Sequence, residues 1–440
     1  MQPDSADEVS TGFITLEPEW RRYSIDLRDR DLSYVIGGFG WVTSAKENQS
    51  RDVAFYVDDI IYEGADWLDE PRFLASYPIE TPYTREGAAP ENVAYVYDQA
   101  LALKAFLALG DQRRARLLAD ALVLAVSNDR HFADYRPRNA YTAGRLMSEL
   151  GWEGSRNKRS ARLPGWSAPD GTWLEDEFHA GSRTGEAAWV LLALISAYEV
   201  LGDEAYLETA VRVAEWIEVH CHDNRGAGGY TGGYEGWDAE QQKVSYKSSE
   251  HNIDLAVAFA RLGGILDDEQ WLRRSGNARR FVESMWDETE GKFWTGTLDD
   301  GVTPNPVAIP LEVQAWALLA FPDWARRFSR AMSFVTARHA TAAGGFDFNT
   351  DRDGTWYEGT AHAALAYRAI GCIEDWRAVR NVLRGARLDN GAIPAASRDG
   401  LTTGFGWTYP NAAHVGATAW AIFAELGLNP FWLGCAECPR

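Results

Sequence analysis

Cysteine is scarce: Cys221, Cys372, Cys435 and Cys438 are the four in 440 residues. Disulfides therefore cannot be the framework of a chain this long. The pair in Cys435-Ala-Glu-Cys438 has no second pair to complete a zinc site, and the neighbouring Cys221-His222 is far away in sequence, so a frayed tail is the simpler reading. Lysine is scarce too, six of the 43 basic residues. With a formal net charge of −21, the chain lacks the positive surface that nucleic acid or an anionic membrane would need. No apolar run reaches the ~20 residues of a membrane span. Residues 1–20 are acidic and lack the apolar stretch of a secretory leader, which gives the expectation of a cytoplasmic setting. Also missing are a GxGxxG loop after a strand, a GK[ST] loop, a serine elbow, and paired histidine ligands beside other ligands. Those absences leave nucleotide, serine-nucleophile and metal chemistry without residues to carry them, and no cofactor or metal is expected.

Aromatic residues are plentiful, at 12% with 19 Trp. A buried indole needs a partner for its N–H, so many tryptophans point to a lined groove as well as a core. The second abundance is a repeat. Six apolar segments of helix length end at sharp breaks: Leu109-Gly110-Asp111, Leu201-Gly202-Asp203, Leu262-Gly263-Gly264, Phe321-Pro322-Asp323, Ile370-Gly371 and Leu426-Gly427. Glycine past a helix end takes the left-handed conformation that stops it, and the Asp beside it caps the next helix. The first members of the pairs, Glu91–Leu109, Gly185–Leu201, Glu250–Leu262, Leu311–Phe321, Tyr357–Ile370 and Asn411–Leu426, are apolar nearly all round. The second members, Asp111–Ser127, Asp203–His220, Asp267–Trp286, Asp323–Ala340 and Glu374–Ala386, are one-sided.

Six buried helices alternating with amphipathic ones describe an all-α fold, an (α/α)6 barrel of six αα-hairpins over residues 90–440. Residues 1–89 are expected to form a small extension packed on the barrel, with strand-like stretches at Tyr34–Val42 and Val53–Trp67. No sixth outer helix follows Gly427. The N-terminal segment, or a short turn at Asn429-Pro430-Phe431-Trp432, is expected to cover that gap.

Long connections, 128–180, 221–249, 287–309, 341–356 and 387–410, all lead into the first turns of inner helices and so gather on one face. Ionisable or amide side chains recur at those first turns: Tyr97-Asp98-Gln99, Glu186, Glu250-His251-Asn252-Ile253-Asp254, Glu312-Val313-Gln314, Trp356-Tyr357-Glu358 and His414. Capping and the helix dipole explain any one acid there. Six converging on a partly dry barrel axis ask for chemistry. Glu250 and Asp254 share a helix face, and a carboxyl crowded by like charge keeps its proton to neutral pH. Trp356 and Tyr357 place rings beside Glu358, the combination that stacks on a sugar face while holding its hydroxyls.

On these hairpins, aromatic loops and acids, residues 91–427 resemble the six-hairpin, (α/α)6-barrel enzymes that act on carbohydrates. The resemblance implies a carbohydrate partner and a glycoside hydrolase, most often inverting, with one carboxylic acid protonating the leaving oxygen and a second activating water. Glu250 is the expected acid and Glu358 the expected base, with Asp98, Glu186 or Asp353 as replacements. Trp166, Trp173, Tyr230, Tyr234, Trp237, Trp294, Trp356 and Trp407 are the expected sugar subsites, and Tyr97, Asn252, Glu312, Gln314 and Tyr357 line the same mouth. The same superfamily includes lyases and epimerases, for which His251 or His414 with Tyr409 would move a proton. A terpenoid-type barrel and a non-catalytic glycan-binding protein are the remaining alternatives.

Overall fold

The computed structural model describes residues 9–18, 21, 23–27, 40–57, 70–78, 92–148, 160–167 and 173–435. The chain forms two compact units, residues 1–68 and 69–440. The described residues of the first unit include no helix or strand, and in it Trp41 and Phe55 meet edge to face at 5.6 Å. The stretch expected at Tyr34–Val42 lies mostly outside the described residues, and Val53–Val57, the described part of the second, is not a strand. The second unit takes in residues 70–78, which the sequence reading had assigned to the extension.

That second unit is the (α/α)6 barrel. Its inner helices are α1 (Val96–Ala108), α4 (Thr184–Leu201), α6 (Ser249–Leu266), α8 (Leu311–Ala320), α10 (Tyr357–Ala369) and α12 (Val415–Leu426). Each packs on the next, and α12 packs back on α1, so the ring closes. Outside lie α2 (Gln112–Ser127), α5 (Glu204–Cys221), α7 (Glu269–Ser284), α9 (Arg330–Arg338) and α11 (Ile373–Gly385), each against its own inner partner. A single extra turn, α3 (Glu177–Ala180), sits in the long loop before α4. The strands of the barrel are two or three residues long and lie in the connections, some as local hairpins and others pairing one connection with another.

Local chemistry sets the helix ends. Asp111 and Asp203 cap α2 and α5, each accepting a backbone N–H. Gly202 and Gly427 end α4 and α12 in the left-handed conformation, at φ 74° and 67°. The Gly263-Gly264 break is different: both residues stay helical, and α6 runs on to Leu266, with Asp267 left-handed at φ 52°. A side chain at Gly263 would meet Leu272 of α7 at 2.8 Å, so this glycine permits close packing of the pair rather than a turn. Among the described residues helix α4 alone has the length and apolarity of a membrane span, a possibility the sequence reading had excluded, but it is mostly buried as an inner member of the ring.

After α12 the chain does not take the sixth outer position. The turn Pro430–Trp432 folds under the ring, where Phe431 is fully buried with its ring 5.2 Å from Trp189 and 5.6 Å from Trp316. Arg261 of α6 donates to the carbonyls of Phe431 and Leu433, at 2.9 and 2.8 Å. The turn therefore plugs the base of the barrel instead of covering its side. Cys435, just beyond, is disulfide-bonded, and the rest of the tail lies outside the described residues.

The open end is organised by a repeated latch. The side-chain amide of Gln99 takes both backbone groups of Leu74, at 2.8 and 3.0 Å. Asn252 does the same for Tyr230 (2.8 and 3.0 Å) and Gln314 for Phe293 (2.8 and 2.9 Å). The hydroxyl of Thr360 accepts from the Phe346 N–H at 3.0 Å, and that of Thr418 from the Ile393 N–H at 3.0 Å. Five inner helices thus hold a segment of the preceding chain by one polar side chain in the first turn, buried in all but Thr418. Backbone groups that would be orphaned in the core are satisfied by it.

Candidate active site

Two residues before each latch stands the side chain that faces the barrel axis. Residues two apart on a helix diverge by about 200°, so a latch pointing outward sends its i−2 neighbour inward. Those neighbours are Tyr97, Glu250, Glu312, Glu358 and Gly416, and Glu186 holds the corresponding place on α4. On α4 the latch comes from Asn139 instead, which accepts the Arg183 N–H and donates to the Phe178 carbonyl, both at 2.7 Å.

Tyr97 donates its hydroxyl to Glu358 Oε1 at 2.6 Å and accepts the Trp420 indole N–H at 2.8 Å. On the other oxygen of Glu358, His414 Nδ1 lies at 3.6 Å from Oε2, while His414 Nε2 is 3.2 Å from Asp98 Oδ2. His414 also caps α12, its Nδ1 accepting the Ala417 N–H at 3.2 Å, and Tyr77 stacks on its ring at 4.5 Å. The Ala417 bond needs a lone pair on Nδ1, which places the imidazole proton on Nε2, towards Asp98. Gly416 makes room for this group: a side chain there would sit 2.7 Å from both Asp98 Oδ1 and Glu358 Oε2.

Electrostatics separates two halves of the site. Burial pushes the Glu358 carboxyl up to about 7, against the pull of His414 and the hydrogen bond from Tyr97. Tyr97 is held well above the ordinary phenol value by burial and the Glu358 charge, so it remains a donor. Burial and the charge of Glu186 push Glu250 to about 7 as well. Glu250 and Glu312 are within hydrogen-bonding reach, and burial with the neighbouring acids holds Glu312 well above the usual carboxylate range. Glu186 is raised by burial. Asp254, one turn below Glu250, is fully buried, its two oxygens have no hydrogen-bond partner, and burial raises it strongly. Arg183 acts on Glu186, Glu250 and His251 from the strand before α4, and is itself bonded to Tyr246 and Glu235. Burial and Arg183 drive His251 down to about 3, so this imidazole stays neutral. His414 is raised despite its burial, by Asp98 and Glu358.

The geometry therefore brings together Tyr97, Asp98, Glu186, Glu250, Glu312, Glu358, His251 and His414 at one end of the ring. Trp407 and Tyr409 stand close by: Tyr409 stacks on Trp356 at 5.7 Å and meets Trp407 at 4.8 Å, and both are half-buried. Tyr357, half-buried, begins α10 beside them. Several expected sugar contacts prove to be structural. Asn252 and Gln314 are consumed by their latches. Tyr230 is buried with its hydroxyl on Glu218 at 2.8 Å. Trp356 is fully buried between Phe348 and His362. Tyr234 packs on Trp216 and His220 of the outer helix α5. Lys292 sits 3.9 Å over the Trp294 ring and also faces Phe334 of α9, so Trp294 belongs with the outer shell. Trp166 and Trp173 lie in a hairpin where the Trp173 indole donates to Glu175 at 3.1 Å. Trp237 is exposed. The residues that sequence reasoning missed are Tyr77, Gly416, Arg183 and Trp420. Of these, only Gly416 carried a signal, as the one gap in the recurring inward position.

Among the described residues one carboxylate trio, Asp347, Asp351 and Asp353, has oxygens within 4.8 Å of one another, the arrangement that could hold a cation. Asp353 was a candidate replacement base. Here its Oδ2 accepts the Thr402 N–H at 3.1 Å, and its N–H binds Asp347 at 2.8 Å. The trio shapes the loop before α10.

No protein-family model matches the chain, and no curated protein matches it. Solved structures do. A D-mannose isomerase superposes with a TM-score of 0.55 at 12% identity, over 81% of this chain and 91% of that one. Cellobiose 2-epimerase from Bacillus thermoamylovorans gives 0.55 at 11% identity, over 81% and 93%. A glycosidase variant in complex with glucose gives 0.53 at 12% identity, over 81% and 92%. At such identities the likeness establishes the (α/α)6-barrel, glycosidase-like fold.

Proposed function

We propose that this protein is a carbohydrate-active enzyme, and specifically a glycoside hydrolase in which Glu250 is the general acid and Glu358 the general base. One observation carries the reading: burial raises both carboxyls to about 7, but their neighbours differ, acid charge around Glu250 and a hydroxyl donor on Glu358. Glu250 is buried and feels the charges of Glu186 and Glu358, which favours the neutral acid. Glu358 receives the Tyr97 O–H on one oxygen, which favours the carboxylate. An acid and a base held apart in this way are what glycosidic hydrolysis requires. Trp407 and Tyr409 supply ring faces for the sugar. Inversion is the expected outcome, with Glu250 and Glu358 on helices that α8 separates in the ring.

Sugar isomerisation or epimerisation is the second reading, favoured by His414 poised between Asp98 and Glu358 as a proton carrier. His251, neutral down to about pH 3, is a poor partner base for it. A panel of neutral oligosaccharides followed by NMR in D2O separates the two. Hydrolysis releases a new reducing end whose first anomer reports the stereochemistry. Isomerisation exchanges a carbon-bound proton for deuterium without cleavage. Loss of cleavage in Glu250→Gln and in Glu358→Gln, with unfolding midpoints unchanged, is the expected result; full cleavage by both variants would remove the assignment.

A further inference from the structure

Directly beneath Glu358 lies a buried imidazole that takes no part in the acid–base pair. His362 is one turn further along α10, and helical side chains lean back over the preceding turn. Its Nε2 stands 3.8 Å from Glu358 Oε1, the oxygen that also takes the Tyr97 hydroxyl. We infer that His362 is a positioning residue for Glu358, a neutral imidazole that turns its Nε2–H to the carboxyl from below and favours the charged base. This rests on the hydrolase reading above.

The surroundings of the ring carry the argument. It is fully buried, and neither nitrogen has a hydrogen-bond partner. Three indoles pack on it: Trp420 of α12 at 4.2 Å, Trp316 of α8 at 5.1 Å and Trp356 at the head of α10 at 5.3 Å, inclined to it by 71°, 61° and 90°. Leucine, of similar volume, would fill that space without stranding two polar atoms, and an unpartnered buried polar group destabilises a fold. Packing alone therefore gives no reason for a histidine here. The charged group it meets is Glu358, on its own helix; α8 and α12 face it with indoles, and α1 reaches the same carboxyl oxygen through Tyr97. His414, with Asp98 behind it, stands at the other oxygen of Glu358.

An apolar cage disfavours an imidazolium, and burial accordingly holds His362 well below the usual histidine value. The neutral ring carries one N–H. A lone pair on Nε2 would face the carboxylate oxygen, so the proton belongs on Nε2 and the lone pair on Nδ1. At 3.8 Å the contact is charge to dipole, longer than a hydrogen bond. It adds to the Tyr97 hydroxyl on the same oxygen, and it is stronger when Glu358 is ionised than when it is neutral. His362 thus acts through Glu358 and has no contact with sugar in this role.

The test compares His362→Leu, which removes the N–H, with His362→Gln, which can return an N–H to the place of Nε2, both in the full chain. The probe is a fluorescently end-labelled neutral oligosaccharide that the wild type cleaves. In His362→Leu the ascending limb of kcat/KM is expected to move up by about 0.5–1 pH unit, less than a lost hydrogen bond to a charged group would give. Below that limb the rate falls about 3–10-fold, while the descending limb, set by Glu250, stays in place. The urea midpoint of His362→Leu is expected to equal or exceed that of the wild type, because two stranded polar atoms are gone. His362→Gln should hold the ascending limb within about 0.3 unit of the wild type. A second measurement needs no turnover and serves if the Leu variant folds poorly. Long-range nitrogen NMR of histidine-labelled protein should show His362 as the neutral Nε2–H tautomer from about pH 5 to about pH 9. An Nδ1–H tautomer, or an imidazole that titrates in that range, would overturn the proposal. So would an ascending limb that stays put in His362→Leu, or a loss by one factor across the whole profile, which marks a packing role. The hydrolase reading fails separately, if Glu250→Gln and Glu358→Gln still cleave the probe.

Discussion

Removing one oxygen, in Tyr97→Phe, isolates the contact that makes Glu358 a base. That hydroxyl is 2.6 Å from Glu358 Oε1 and is a neutral donor held there by burial. A hydrogen bond to a charged group contributes about 1.5–3 kcal/mol, and one pKa unit corresponds to about 1.36 kcal/mol. Losing the donor should therefore raise Glu358 by about 1–2 units from its value of about 7. At pH 7 the carboxylate would drop from about half of the molecules to roughly a tenth or less. The assay is the pH dependence of kcat/KM. The ascending limb should move to higher pH by that interval, with activity at pH 7 down about 5–50-fold. The variant also strips the Trp420 N–H of its acceptor, at 2.8 Å in the intact site, which should cost about 1–3 kcal/mol in urea unfolding. An ascending limb that stays in place, or activity lost equally at every pH, would refute the reasoning.

Stability should also depend on pH in a particular direction. Glu250 and Glu358 titrate at about 7 when folded against 4.5 ordinarily. Raised carboxyls add stability that is fully present below about pH 4.5 and lost as pH climbs through 7, about 3 kcal/mol for each taken singly. Urea midpoints should therefore be higher at pH 5 than at pH 8, and a flat profile would contradict the burial of these acids. Gln314→Leu keeps the volume but orphans the Phe293 N–H and C=O, so a loss of about 2–5 kcal/mol is expected, read as a lower urea midpoint with unchanged slope. Gly416→Ala should improve helix propensity yet drive a methyl to 2.7 Å from Asp98 and Glu358. A fall of about 10²-fold in activity with stability held within about 1 kcal/mol is the outcome; wild-type turnover would show that the carboxylates can yield.

Much of this molecule could be read along the chain because helix formation and burial are written in local periodicity. The all-round apolar pattern of WVLLALISAY identified α4 as an inner helix, and Asp111 and Asp203 capped where their spacing predicted. The acids at the inner first turns were found the same way, since a charged residue where a core wants Leu stands out. The aromatic residues were read far less well. Trp356, Tyr230 and Trp294 look in sequence like sugar platforms, yet a ring that packs and a ring that waits for ligand have the same composition signature. Likewise Asn252 and Gln314 were taken for binding residues because a buried amide needs partners, and the pattern cannot say whether those partners are sugar hydroxyls or a strand's backbone.

The chain by itself determined the six inner helices, their order and the acid in the first turn of five of them, because these follow from residue spacing over a few turns. Which acids meet was decided only by closure of the ring. Tyr97 and Glu358 are 261 positions apart yet 2.6 Å from each other, and no local rule reaches that far. The latch residues, by fixing each helix's rotation, decide which face turns inward, and the tuck of Phe431 beneath the ring closes the base. Proton environments such as those of Glu250 and His414 arise from charges on neighbouring helices. They come into being when the barrel shuts out water.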